Sequence, residues 1–118
     1  MFRLLVCGGR DFTDIDALFR VLDRVRCKIN KPLLIIHGDA RGADKMAGKW
    51  ARHVGLHEVK VPALWDVHSN RAGPIRNAAM LGLMPDGVVA FPGGSGTADM
   101  VRQAKAAGIP VYIIPPST

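Results

Sequence analysis

Glutamate is almost absent from this chain. Of its 10 acidic residues only Glu58 is a glutamate, so chemistry that needs a carboxylate falls to aspartate. Cysteine is scarce too. Cys7 and Cys27 have neither metal-ligand nor redox spacing, which excludes a disulfide framework or zinc module and fits a cytosolic chain with buried thiols. No apolar run approaches the roughly 18 residues of a membrane span. Met1-Phe2-Arg3 leads into only four apolar residues, Leu4 to Cys7, too few for a secretory signal; a cytoplasmic protein with no membrane partner is expected. Repeats, linkers and low-complexity segments are missing, and residues 1–118 read as one domain.

What is present is an ordinary globular composition with a basic bias. Hydrophobic residues make up 48% of the 118, enough for a core without disulfides and too many for a disordered chain. The 16 Lys and Arg outnumber the acids to give a net charge of +6. That balance suits an anionic partner such as a nucleotide, a nucleic acid or a lipid surface, or serves solubility alone.

Apolar runs alternate with helical patterns throughout. Phe2–Cys7 reads as a buried strand ended by Gly8-Gly9. Thr13-Asp14-Ile15-Asp16 resembles a capping box, and Ile15, Leu18, Phe19, Leu22 and Val25 recur at helical spacing, predicting a helix over 14–30. A second strand spans 33–37, and Ala43, Met46, Ala47, Trp50, Ala51 and Val54 form a second helical face. A weaker strand over 57–61 has the mixed composition of a sheet edge. The stretch 63–72 reads as the longest irregular loop. Gly73-Pro74 opens a third helix whose Ile75, Ala78, Ala79 and Leu83 can face inward. A fourth strand over 88–91, a fourth helix with Met100, Val101, Ala104 and Ala107 on one face, and a fifth strand over 111–114 complete the pattern. The expected fold is α/β: a Rossmann-like three-layer sandwich, with a five-stranded parallel sheet covered by helices on both faces.

Open parallel sheets bind ligands beyond the carboxyl ends of their strands, where the strand order reverses. Three of the loops there carry glycines: Gly8-Gly9-Arg10, Gly38-Asp39-Ala40-Arg41-Gly42 and Gly93-Gly94-Ser95-Gly96. If the order is 3-2-1-4-5, the loops after strands one and four meet at the crevice. Glycines there let backbone amides approach a phosphate, and a helix N-terminus adds partial positive charge. Neither the P-loop pattern nor the G-x-G-x-x-G dinucleotide fingerprint occurs. Gly93, Gly94 and Gly96, with the hydroxyls of Ser95 and Thr97, form the best candidate oxyanion cradle. Arg10, Arg41, Arg71 and Arg76 lie on the same edge among Asp11, Asp39, Asp44, Asp66 and Asp99. A loop arginine is commonly solvated or paired; Arg76, fixed at a helix start, is the exception. Trp65 either stacks on a base or packs its loop onto the domain. Trp50 reads as core. No metal site is expected, since Gly55 separates His53 from His57 and His37 and His68 stand alone.

Gly8-Gly-Arg-Asp-Phe12, His37-Gly-Asp-Ala-Arg-Gly-Ala-Asp44, Ala72-Gly-Pro-Ile-Arg-Asn77 and Pro92-Gly-Gly-Ser-Gly-Thr97 together resemble the SLOG superfamily, in its YspA-type, YpsA-related branch. The resemblance covers nearly the whole chain. It implies a Rossmann-like sheet that binds a nucleotide or nucleotide derivative, without a resident cofactor, through Gly8, Gly9, Arg10, Gly38, Arg41, Asp44, Trp65, Arg76, Asn77 and the loop Gly93–Thr97. The lonely-guy phosphoribohydrolases of the same superfamily split a base from a nucleoside monophosphate, with an arginine similar to Arg76 and a P-G-G-x-G-T-x-x-E motif. Here Met100 takes the glutamate position, and Asp99 precedes it by about 100° of helix. Cleavage of an N-glycosidic bond passes through an oxocarbenium-like state that needs a carboxylate, which methionine cannot supply. Hydrolysis would therefore recruit Asp99, Asp44 or Asp11, with Asp99 and Arg76 the candidate catalytic pair, and binding without turnover is the first expectation. A nucleic-acid module is the other alternative, through Arg20, Arg24, Arg26, Lys28 and Lys31 on helix one; a solvated face explains them as well. Met100 and Val101 on helix four suggest a homodimer, as in related proteins.

Overall fold

The computed structural model describes residues 1–116 of the 118. Five strands alternate with helices: β1 (Phe2–Cys7), α1 (Ile15–Ile29), β2 (Leu33–His37), α2 (Ala43–His53), β3 (His57–Lys60), α3 (Trp65–His68), α4 (Ala72–Leu81), β4 (Gly87–Ala90), α5 (Ser95–Ala106) and β5 (Val111–Ile113). The strands form one parallel sheet in the order β3-β2-β1-β4-β5. It is the Rossmann-like α/β architecture that the apolar runs predict.

Alternation along the strands divides the core in two. Leu4 and Val6 of β1 join Leu18, Leu22, Ile35 and Trp50 under α1 and α2. Leu5 and Cys7 point the other way, to Ile36, Met80, Val88 and Met100 under α4 and α5. Trp50 is fully buried, and its indole N–H donates to Asp23 at 2.9 Å. The reversal of strand order places a crevice between β1 and β4 at their carboxyl ends.

Several local expectations change. Asp14, not Thr13, caps α1: its Oδ1 accepts the Ala17 amide at 3.0 Å. The supposed irregular stretch holds α3 and a 3-10 turn over Ser69–Arg71, leading without a break into α4. Ile75, Ala78, Ala79 and Leu83 face outward, while Ala72, Gly73, Asn77 and Met80 are the buried positions of α4. That helix turns its smaller and more polar face inward because it borders the crevice. Ala107 is exposed as the C-cap of α5. Cys7 is buried, but Cys27 is exposed. Met100 is 1% exposed and belongs to the core, so it offers nothing to a second copy. Among the described residues no helix is long and apolar enough to cross a membrane.

Candidate functional site

The first wall of the crevice is the pair of loops after β1 and β4. Gly9 N donates to Pro92 O at 2.9 Å, and Gly9 O accepts the Ala43 amide at 3.2 Å, so one loop is bonded both to the β4 loop and to the start of α2. A Cβ on Gly9 would fall 2.9 Å from Gly93 Cα, and one on Gly8 would lie 2.9 Å from Phe91 Cβ. These glycines allow loops to touch. Gly94 and Gly96 are different, since an added Cβ there meets nothing within 4 Å. They flank the start of α5, whose N-cap, Gly94, supplies no side-chain bond. The first helical bond runs from Ala98 N to Gly94 O, so the amides before it have no partner within the helix, and their residues border the crevice.

The second wall comes from β2, α2 and α4. Arg76 is half-buried; its Nη1 donates to Gly38 O at 2.9 Å and its Nε to Asn77 Oδ1 at 3.0 Å. Burial lowers its pKa, opposed by Asp44 and reinforced by Arg10. Asp44, 5% exposed in the first turn of α2, accepts the Ala40 amide at a long 3.4 Å. Burial raises its pKa above the usual carboxylate range, against the pull of Arg76, the Ala40 and Gly38 amides and His37. Cys7 lies between them, its thiol pushed up to about 12 by burial and by Asp44. A thiol so shifted is not a nucleophile at neutral pH.

Asp99 occupies the opposite side and is fully engaged. It accepts from Asn77 Nδ2 at 3.0 Å, from Gln103 Nε2 at 2.8 Å and from Arg102. Asn77 also reaches Gly96 O at 3.2 Å, tying α4 to the phosphate-loop candidate.

Together these elements enclose a cleft of about 560 Å³. Gly8, Gly9, Arg10, Asp44, Trp65, Arg76 and Asn77 line it, with Gly94, Ser95, Gly96, Thr97 and Asp99. Gly38 and Arg41 line an adjoining lobe of about 350 Å³, which shares Arg10, Trp65 and Arg76 with the cleft. Gly93 borders a neighbouring hollow of about 510 Å³ beyond Arg10. The expected site residues thus converge on one sheet edge. Arg41 stays at the rim, paired with the exposed Asp11 at 3.1 Å. Trp65 has the Arg10 guanidinium 5.0 Å above its ring, so a cation already covers one of its faces.

His37, expected to stand alone, has a partner in the chain's single glutamate. They form a pair, His37 Nε2 to Glu58 Oε2 at 2.8 Å, directly under the Gly38 turn. A histidine ending an otherwise apolar buried strand, with the chain's one glutamate in the adjacent strand, was the available signal.

Comparison with known proteins supports the fold and gives the family. The family profile described as YspA, cpYpsA-related SLOG family matches residues 2–68. The Gene 61 protein of Mycobacterium phage D29 is 36% identical over 120 residues, covering 94% of each chain. Two X-ray structures share the fold. DNA processing protein A (DprA) from Streptococcus pneumoniae superimposes with a TM-score of 0.79 at 21% identity, over 99% of this chain and 51% of that one. TM1055 gives 0.71 at 22% identity, over 94% and 72%. On the profile match and the phage relative, the chain belongs to the YspA, cpYpsA-related SLOG family.

Proposed function

We propose that this domain binds a nucleotide or nucleotide derivative, with the ligand's phosphate received by the Gly94–Thr97 loop and by Arg76 and Arg10. The observation that carries the reading is the convergence of an uncapped helix start and two arginines on one cleft at the strand-order reversal. Backbone amides and a planar guanidinium supply complementary donors to a phosphate, and neither requires a metal. A thermal-shift panel with AMP, NAD, ADP-ribose and cyclic nucleotides tests it. A ligand present at about 100 times its Kd stabilises the fold by about 2.7 kcal/mol, a shift of many degrees for a domain this size. No stabilisation by any of them at millimolar concentration overturns the reading.

A hydrolytic reading has one favourable observation. Asp44 is buried on the cleft wall, lacks the three side-chain donors that saturate Asp99, and carries a raised pKa. Free adenine released from AMP by the wild type, and not by an Asp44→Asn variant, would establish it. The homodimer is proposed on a different surface from the one first expected: the outward face of α4 and the turn after it, where Ile75 is 43% and Leu83 36% exposed beside Ala78 and Ala79. A monomer mass by light scattering refutes it.

A further inference from the structure

At the end of β2, beneath the Gly38–Ala40 turn, lies an imidazole that the nucleotide-binding reading does not use. His37 is 1% exposed, and both ring nitrogens are engaged. Nδ1 accepts the Asp39 backbone N–H at 3.0 Å. A nitrogen that accepts an N–H carries no proton, so the ring proton belongs to Nε2, which donates to Glu58 Oε2 at 2.8 Å. Glu58 is held in turn by Arg52 at its other oxygen, Oε1, with Lys60 Nζ 3.8 Å from that atom.

The turn above the ring is not one the backbone adopts freely. Asp39 stands at φ 58°, in the left-handed region that side chains disfavour. Aspartate visits this region more readily than most residues, and two contacts hold it there. Lys45 Nζ donates to Asp39 Oδ1 at 3.1 Å from one side, and the imidazole takes the Asp39 amide from below. The same turn serves the cleft. Gly38 O accepts Arg76 Nη1 at 2.9 Å, and Ala40 N donates to Asp44 at 3.4 Å. A side chain on Gly38 would fall 2.7 Å from Arg76 Cζ, so this contact leaves no slack.

We propose that His37 is a positioning residue for the cleft: its neutral, Nε2-protonated ring fixes the Asp39 amide, and through it the Gly38 carbonyl that aims Arg76 at an anionic ligand. The aim toward a nucleotide phosphate rests on the reading above; the control of Arg76 by the ring does not. Protonating Nδ1 sets an N–H against the Asp39 N–H, so the turn loses its anchor as the ring becomes cationic. The charged groups facing the ring are Glu58, backed by Arg52 and Lys60, on the β3 side, and Asp39 and Asp44 on the cleft side. On α2 the ring meets the backbone of Gly48, where a Cβ would come within 2.8 Å of Nε2. Loss of the Nδ1 acceptor therefore frees the Asp39 amide and, with it, the Gly38 carbonyl that holds Arg76.

Two isosteric variants separate the ring's two bonds. His37→Asn keeps an acceptor near Nδ1 and loses the donor to Glu58; His37→Gln keeps a donor near Nε2 and loses the acceptor for Asp39. Nitrogen-15 spectra of the ring and of the Arg76 Nε–H, recorded on the free protein across pH, read the coupling directly. In the wild type the Arg76 resonance should shift with the midpoint at which His37 charges. In His37→Asn it should stay near its neutral-pH position throughout, and in His37→Gln it should be displaced at every pH. With AMP as probe, His37→Gln should bind about fivefold or more weakly and His37→Asn within about twofold of the wild type. A merely structural histidine would lower the melting temperature in both variants without this split. An Arg76 resonance indifferent to His37 titration overturns the proposal, even where a variant fails to fold. Absence of AMP binding would instead count against the nucleotide reading and leave the spectroscopic test standing.

Discussion

Two aspartates enter the cleft from opposite walls and live under opposite conditions. Asp99, on α5, has three side-chain donors from Asn77, Gln103 and Arg102. Asp44, on α2, is as buried but relies on backbone amides and on the charge of Arg76 beside it. A carboxylate saturated with donors is part of the scaffold. One that is buried and under-bonded is held in reserve for a ligand or a proton. The α5 side of the cleft is therefore the rigid one, and the β2–α2 side is the responsive one.

The largest effect should come from removing the cation between them. Arg76→Ala takes two hydrogen bonds from Gly38 O and Asn77 Oδ1 and leaves Asp44 without its opposing charge. Loss of a partly buried, hydrogen-bonded charge at a recognition site costs about 2–5 kcal/mol, so AMP affinity should fall at least thirtyfold, to about that magnitude. Arg76→Lys should not restore it, since an ammonium cannot reproduce the planar fork. Equal affinity of wild type and Arg76→Ala in calorimetry would place the ligand elsewhere.

The comparison itself is sharpened by making both aspartates neutral. Asp99→Asn should destabilise the fold by about 1–3 kcal/mol, because an amide nitrogen then faces donors that need an acceptor. Asp44→Asn should cost nothing at pH 7 or add up to about 1 kcal/mol, because it removes a buried, poorly compensated charge. The pH dependence gives the same answer independently. The folded-state pKa of Asp44 lies above its ordinary 3.8, so the folded protein holds this proton more tightly than the unfolded chain. Its contribution to stability is present in full below 3.8 and is lost as pH rises through the raised value. Urea denaturation across that window should show a slope in the wild type that Asp44→Asn flattens.

The strands were legible because short apolar runs bounded by glycine loops and alternating with helical patterns fit a buried parallel sheet; their order was a supposition, since nothing within a strand states its neighbour. The inward face of α4 was misjudged for a physical reason. Ile75, Ala78 and Ala79 offer an apolar face at helical spacing, yet Ala72, Gly73, Asn77 and Met80 face inward, with Gly73, Asn77 and Met80 bordering the cleft. The helix over Trp65–His68 is a single turn, too short to have a period and stable only in its tertiary setting. The His37–Glu58 pair was hidden because it depends on the register between β2 and β3, which pairs Ile35 with Glu58 and His37 with Lys60. Spacing within either strand carries no trace of it.

On the rigid wall, the α5 start separates stability from binding. Gly96→Ala places a methyl in open space beside the cleft and exchanges the second-weakest helix former for the strongest. Stability should rise by about 0.5–1 kcal/mol while AMP affinity falls several-fold, because the methyl occupies the ligand's approach to the amides. A rise in stability with unchanged affinity would show that these amides do not receive the phosphate.

The smallest effect is expected at the rim. Arg41 is 73% exposed and Asp11 95%, so their 3.1 Å pair lies in solvent and contributes little to folding. Whatever Arg41 gives the ligand acts through water and over distance. Arg41→Ala should then weaken AMP binding by less than about threefold, and the difference should vanish as ionic strength passes about 0.15 M, where the screening length falls to about 8 Å. A loss that persists in high salt would mean that Arg41 leaves Asp11 and closes directly on the ligand. The adjoining lobe would then belong to the binding site, and the β2–α2 wall would respond to its ligand by moving as well as by charge.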